Sequence, residues 1–299
     1  MPVSTVPTST AEELLNSLSA SGKALPAASR PYQFLFRGHS DARFSLLPSA
    51  HRAGTRIPVQ EHVLEVSATW TIADQIAAER DSLLSFFWFA DQAGLYLPGD
   101  SPDLRRNLGK PETLNCWPIL GLFSVMALAQ HHGLPTRLLD WSRSSGVAAY
   151  FAAKQAAGWV KGGLLPPADV RDLSVWALHA PDNYLENKLL PSERGFDTPA
   201  LRIVTAPQAS NPNLHAQRAV STLLQEDTAR RGARFVPIPL DRMADRFDPP
   251  LDFWQFTLPI EQAPKLLRLL AFDGICAAGI FPGYGGVVEA LKERSSFWD

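Results

Sequence analysis

Apolar residues recur at helical spacing in some stretches of this chain and run on or alternate in others, so the pattern itself suggests the elements. Ser9-Thr10-Ala11-Glu12-Glu13 has the capping-box form and predicts a short helix to about Ala20, behind eight patternless residues expected to be disordered. Trp70, Ile72, Ile76, Leu83, Leu84, Phe87 and Trp88 place one long helix over about Glu61–Ala90, and residues 91–113 read as loop. Trp117 through Ala129 is apolar and predicts a buried helix, with Pro118 in its first turn and Gly133 as its left-handed stop. Gly146–Ala153 predicts another, capped by Ser142, Ser144 or Ser145 and ended by Gly158. Two more helices are expected over Glu261–Phe272 and Gly286–Arg294. Strand-like runs fall at Pro31–Gly38, Ser174–His179, Ala200–Thr205, Arg234–Ile238 and Phe253–Leu258. Helices come early and most strands late, which predicts an α+β fold with a mixed or antiparallel sheet rather than a regular βαβ array. No linker is visible, so residues 1–25 read as a tail with a short helix, and 26–294 as one domain.

One segment breaks the apolar pattern. Gln130-His131-His132-Gly133-Leu134-Pro135-Thr136-Arg137-Leu138-Leu139-Asp140-Trp141-Ser142 packs two histidines, an arginine, an aspartate, two hydroxyls and an amide between two apolar helices. An unpaired buried polar group costs about 1–3 kcal/mol, so this cluster needs an internal network or a ligand. Gln130, His131 and His132 fall in the last turn of a helix, where the dipole favours a positive imidazole. The following helix begins just after Asp140 and Ser142, where free N–H groups suit an anion. Phe36-Arg37-Gly38-His39 ends the first strand: Arg37 follows a buried run, and Gly38 admits another group close to the backbone. On the residues alone, Arg37 is held either by an internal carboxylate such as Asp140 or by a ligand, and Arg137 with Asp140 forms a turn-fixing ion pair or lines the site. Adjacent histidines point to different sides of a helix and no i, i+4 partner is present, so no metal site is expected.

Composition narrows the setting only slightly. The net charge is −2, with 45% hydrophobic and 19% charged residues, which gives no global case for nucleic acid or membrane partners. The two cysteines, Cys116 and Cys276, lie in apolar sequence, as in a reducing cytosol. The opening residues lack the order of a secretory leader, and the apolar run 116–129 is too short to span a bilayer; the expected location is the cytoplasm.

Phe36-Arg37-Gly38-His39, the segment from Gln130 to Ser142 and then Ala148-Ala149-Tyr150-Phe151-Ala152 together resemble the FRG domain, a bacterial and phage family named for its Phe/Tyr-Arg-Gly signature. Ala216-Gln217 and the run from Asp273-Gly274-Ile275 to Phe281-Pro282 are also similar to that family's pattern. The order of parts is similar, in addition, to ADP-ribosyltransferases. That second resemblance implies an ADP-ribosyltransferase-like fold, with NAD as substrate. It implies that Arg37-Gly38 holds the ribose and nicotinamide amide, that Ser142 ahead of the Ala148–Ala152 helix meets the ribose, and that Gln217 steadies the ribosyl cation. Where the FRG pattern has a glycine and an aromatic after this glutamine, the chain has Ala219 and Ser221, and no Glu-x-Glu follows. A glutamine is no general base, so His131 or His132 takes that role.

The expected catalytic residues are therefore Arg37, His131, His132 and Gln217. The expected NAD contacts are Arg37, Gly38, Thr136, Arg137, Asp140 and Ser142. Cleaving nicotinamide from ribose passes through an oxocarbenium-like state, which calls for fixed charges and a histidine base near neutral pKa. Two other readings stay open. A metal-free ribonuclease would use His131 and His132 with Arg37 and Arg137, and a non-catalytic module would bind a nucleotide or a partner. The acceptor of a transferred group is open among protein, nucleic acid and small molecules, as are oligomeric state and a toxin or phage-defence role.

Overall fold

In the computed structural model, the described residues are 3–19, 21–26, 33–108, 110, 117–161, 166–180, 200–205, 211–225, 232–247 and 250–297. Pro31, Tyr32 and Cys116, singled out above, lie outside them. The architecture is α+β. Seven strands form one sheet in the order β1 (Val3–Pro7), β9 (Phe253–Pro259), β6 (Asp172–His179), β2 (Phe34–His39), β5 (Leu138–Ser142), β8 (Ala219–Gln225) and β7 (Ala200–Val204). β1 runs parallel to β9, and the other neighbours are antiparallel.

The expected disorder of residues 1–8 is corrected by β1, whose Val3 to Pro7 pair with Phe253 to Thr257. The helix after it, α1 (Ala11–Leu18), is capped by the Thr10 side chain as its sequence predicts. It buries Ala11, Leu14 and Leu18 in the main core. The long helix starts later than its apolar pattern suggests. Residues 56–65 form a hairpin of β3 (Arg56–Val59) and β4 (His62–Glu65), turned at Gln60 with φ 37°, and α2 (Ile72–Gln92) begins at a Thr71–Asp74 capping box. Within the supposed loop 91–113 lies α3 (Pro102–Leu108). Pro118 precedes rather than opens its helix: a 3₁₀ turn at Leu120–Leu122 leads into α4 (Phe123–His131). Gly133 does stop that helix, at φ 91°. Ser144 caps α5 (Ser145–Val160), and Gly158 is buried inside that helix rather than ending it. Arg234–Ile238 is not a strand; Arg234 makes only an isolated bridge to Thr71. β8, for which the sequence predicts no element, is a full strand. The chain continues through α6 (Pro212–Ala216), α7 (Ala263–Phe272), α8 (Ala277–Ile280) and α9 (Tyr284–Phe297).

Two helical clusters cover one face of the sheet. Over β2, β6 and β9, helix α5 packs with α1, α7 and α8 on Phe34, Phe36, Val175, Ala177 and Phe256. Over β5, β8 and β7, helices α2, α3 and α4 pack on Leu138, Val204 and Leu223. The opposite face holds Leu35, Leu139, Trp141, Trp176 and Phe253 under a 3₁₀ segment at Leu240–Arg246. Alternation along β2 thus sends Phe34, Phe36 and Gly38 toward α5, and Leu35, Arg37 and His39 the other way.

Gly38 is where β2 and α5 come closest. A Cβ there would stand 1.9 Å from the Ala148 carbonyl oxygen and 2.7 Å from the Ala152 nitrogen. The group that the missing side chain admits is the backbone of α5, which in turn needs alanines at those positions. β2 continues to pair with β6 through His39, but with β5 it shares a single register pair, Phe36 with Ser142. Beyond that pair the two strands part, and the gap falls between the two helical clusters.

Gly38→Ala is expected to cost at least about 1–3 kcal/mol, because the obstructing atoms are helix backbone and cannot rotate away. Denaturant unfolding measures this; a variant as stable as the parent contradicts the tight crossing.

Candidate functional site

A cavity of about 680 Å³ opens where β2 and β5 part, within the usual size of a small-molecule site. Of the residues expected at a site, Arg37, Gly38, His131, Asp140, Ser142 and Gln217 line it. His132, Thr136 and Arg137 do not.

Arg37 reaches across the gap. Its Nη1 donates to the backbone carbonyl of Asp140 at 2.6 Å, and its Nε donates to His39 Nε2 at 2.9 Å. His39 Nδ1 lies 3.1 Å from the Phe44 carbonyl, which requires the proton on Nδ1 and leaves Nε2 as acceptor. Burial, with the Arg37 charge beside it, pulls the His39 pKa down to about 3, so this ring is neutral. Burial also lowers Arg37 to about 10, opposed by the Asp140 carboxylate, and leaves it cationic at neutral pH. The internal partner is a carbonyl and a neutral imidazole, not the carboxylate that the sequence offered. His39 was quoted in the sequence motif but not chosen, because only the fold shows that alternation puts it on the side of Arg37.

Asp140 sits on the β5 edge facing the cavity. Its Oδ1 accepts from Gln130 Nε2 and from Ser221 Oγ, the latter at 3.0 Å. Ser221 is its register partner on β8. Gln130 is itself held by Thr136, whose hydroxyl donates to Gln130 Oε1 and accepts from the Leu138 N–H at 3.1 Å. Thr136 therefore steadies the site from behind instead of lining it. Ser142 Oγ donates to the Gln217 carbonyl at 2.7 Å and accepts from the Ser144 N–H at 3.0 Å. Gln217 ends α6, and its Nε2 lies 3.4 Å from the Ile280 carbonyl. Ser40 and Gln155, both on the lining, pair at 2.8 Å.

The two histidines separate. His131 is half-buried on the lining, with Nε2 at 3.2 Å from Asn213 Nδ2; His132 is exposed and packs edge-on against its ring. Burial lowers the His131 pKa, His132 adds to this and Asp140 opposes it, so the positive imidazole expected there is disfavoured.

Arg137 belongs to the core. It is buried, and its Nε donates to Glu79 Oε2 on α2. Trp117 Nε1 joins the same oxygen at 3.1 Å, while Gln75 Nε2 and His51 Nε2 lie 2.7 and 3.1 Å from Glu79 Oε1. Burial would raise the Glu79 pKa, but the Arg137 charge and the His51 hydrogen bond outweigh it and hold the carboxyl below its usual range. The expected Arg137–Asp140 pair is replaced by this cluster: Arg137 lies just before β5 and meets Glu79 on α2, while the Asp140 carboxylate is held by Gln130 and Ser221.

Residues 32–158 match the FRG domain model. An FRG domain is present over those residues. Its boundaries take in β2, α4, β5 and α5, and so most of the cavity; Gln217, Ser221 and Phe281 reach it from outside. No curated protein and no solved structure matches the chain. Among the described residues no helix is long and apolar enough to cross a membrane, and no three His, Cys, Asp or Glu side chains are grouped to hold a metal ion.

Two arginine variants should behave oppositely. Arg137→Leu leaves Glu79 buried without its cation and is expected to cost roughly 3–5 kcal/mol. Arg37→Ala strands only a carbonyl and an imidazole beside a cavity, and is expected to cost about 1–2 kcal/mol. Melting and denaturant curves of both decide this; equal losses contradict the placement of Arg37.

Acid should destabilise the fold through His39. The unfolded imidazole takes a proton near pH 6.5 and the folded one only near pH 3, so stability falls as pH drops between them, by up to about 1.4 kcal/mol per unit. His39→Gln keeps an acceptor for Arg37 and is expected to flatten the slope between pH 6.5 and 5. An unchanged slope there would show that His39 protonates freely in the fold.

Proposed function

We propose that the cavity binds NAD and that the protein transfers its ADP-ribosyl group. The observation that carries this reading is Asp140, the one carboxylate among the described lining residues, fixed through Oδ1 by Gln130 and Ser221, while Oδ2 has no hydrogen bond among the described residues. A developing oxocarbenium ion is stabilised by a fixed negative group that needs no reorganisation. In this reading the bond between C1′ and the nicotinamide nitrogen breaks, and its electron pair leaves with the ring. An acceptor oxygen then bonds C1′, and its proton passes to neutral His131. Arg37 holds ribose or phosphate, with Gly38 on the wall beside it. Gln217, anchored through its carbonyl by Ser142, lies at the far side of the nicotinamide ribose. The FRG match and the ADP-ribosyltransferase-like order of parts support the assignment.

The ribonuclease alternative has less behind it. It needs His131 with His132 and Arg37 with Arg137, and only the first of each pair lines the cavity.

Incubation with NAD and chromatography of free nicotinamide is the direct test. Asp140→Asn keeps the contacts at Oδ1 and is expected to slow release by roughly 10²–10³-fold with NAD binding nearly unchanged. Release should also fall as pH drops and His131 protonates. Folded protein that shows neither heat nor a melting shift at millimolar NAD would falsify the transferase reading. Binding without nicotinamide release would recast the domain as a nucleotide-binding module.

A further inference from the structure

Arg52 is a second cation on the cavity. It follows the 3₁₀ turn Ser49–His51, and its Nε donates to the Leu47 carbonyl at 3.2 Å. The turn is fixed to the cluster behind the site, since the Ala50 N–H donates to the Thr136 carbonyl at 3.1 Å. Arg52 is exposed, whereas Arg37 is half-buried deeper in the same cavity. Among the described residues no carboxylate pairs with Arg52. Its charge nonetheless acts on both Arg37 and His39, disfavouring the protonated form of each. Two guanidinium groups therefore line one cavity with a single carboxylate, Asp140, among its described lining residues, an excess of positive charge that an anionic ligand would relieve. Arg37 spends Nε and Nη1 on protein partners and has Nη2 left for such a ligand. The other walls are aromatic. Phe36, Phe44, Phe151 and Phe281 line the cavity, with Phe44 48% and Phe151 38% exposed.

We propose that Arg37 and Arg52 form a phosphate subsite at the cavity mouth, and that the ligand class is a nucleoside carrying a diphosphate. The phosphates lie on the two guanidinium groups, and a ring lies among the aromatic walls. This rests on the reading that the cavity holds a nucleotide. It adds which part of the ligand faces outward, and it assigns a specificity role to Arg52, which no sequence motif marked. Arg52 is a binding residue here and takes no part in bond breaking.

The test compares ADP with adenosine by calorimetry and thermal shift, using the full chain and Arg52→Gln. ADP is expected to bind more tightly than adenosine, and its affinity to fall with added salt because Arg52 is exposed. Loss of one charge-assisted contact should weaken ADP by about 10–100-fold and leave adenosine and the melting temperature unchanged. Arg52→Lys should restore part of the loss. The subsite is overturned if ADP does not bind, if adenosine binds as well as ADP, or if Arg52→Gln binds ADP like the parent. Binding of ADP that depends on Arg52, in a protein that releases no nicotinamide from NAD, supports the subsite while removing the transferase reading.

Discussion

The approach of β2 to α5 at Gly38 is the contact on which the rest of the site depends. Strand and helix normally meet through side chains, at a distance that those side chains set. Here a missing Cβ lets the Ala148 carbonyl come down on the strand backbone. That depth puts Val147, Ala148 and Phe151 at the cavity wall, and strand alternation then aims Arg37 and His39 to the other side. The Arg-Gly pair is one device: the glycine seats the strand and the arginine works the edge that the seating exposes.

That edge would be costly if its polar groups were left bare. β2 and β5 bridge only at Phe36 and Ser142, so the β2-facing edge of β5 is largely without a strand beside it. The Arg37 guanidinium takes the Asp140 carbonyl through Nη1, and His39, kept neutral by burial and by the arginine itself, accepts from Arg37 Nε. A gap in a sheet thus becomes a walled cavity with a cation held in fixed orientation. Behind it, Thr136, Gln130 and Ser221 do the same for the Asp140 carboxylate.

Arg37 and Arg137 show how differently one side chain can be used. Arg137 is sealed against Glu79 among Trp117, Gln75 and His51, and ties α2 to β5. It carries structure because both charges of its pair are out of water. Among the described residues Arg37 has no carboxylate in hydrogen-bond contact, and it stays at a solvent-reached cavity, where a ligand can add to its contacts.

Much was determined by local sequence. The Thr10 and Ser144 caps, the left-handed stop at Gly133, β6, β9, the α+β class and the polar segment that holds the site all follow from short-range chemistry that a few neighbouring residues decide. Other features depend on residues far apart in the chain. β1 becomes a strand because β9, some 250 positions on, offers it an edge; no pattern within Val3–Pro7 announces that. Arg137 pairs with Glu79 rather than Asp140 because α2, some 58 positions earlier, places a carboxylate beside it in the core. His39, Gln130 and Arg52 join the site only through the order of strands and the docking of a turn on Thr136. A sequence states which groups need partners; which partners they find is decided by packing, since the candidates are brought within hydrogen-bond reach only when the sheet closes.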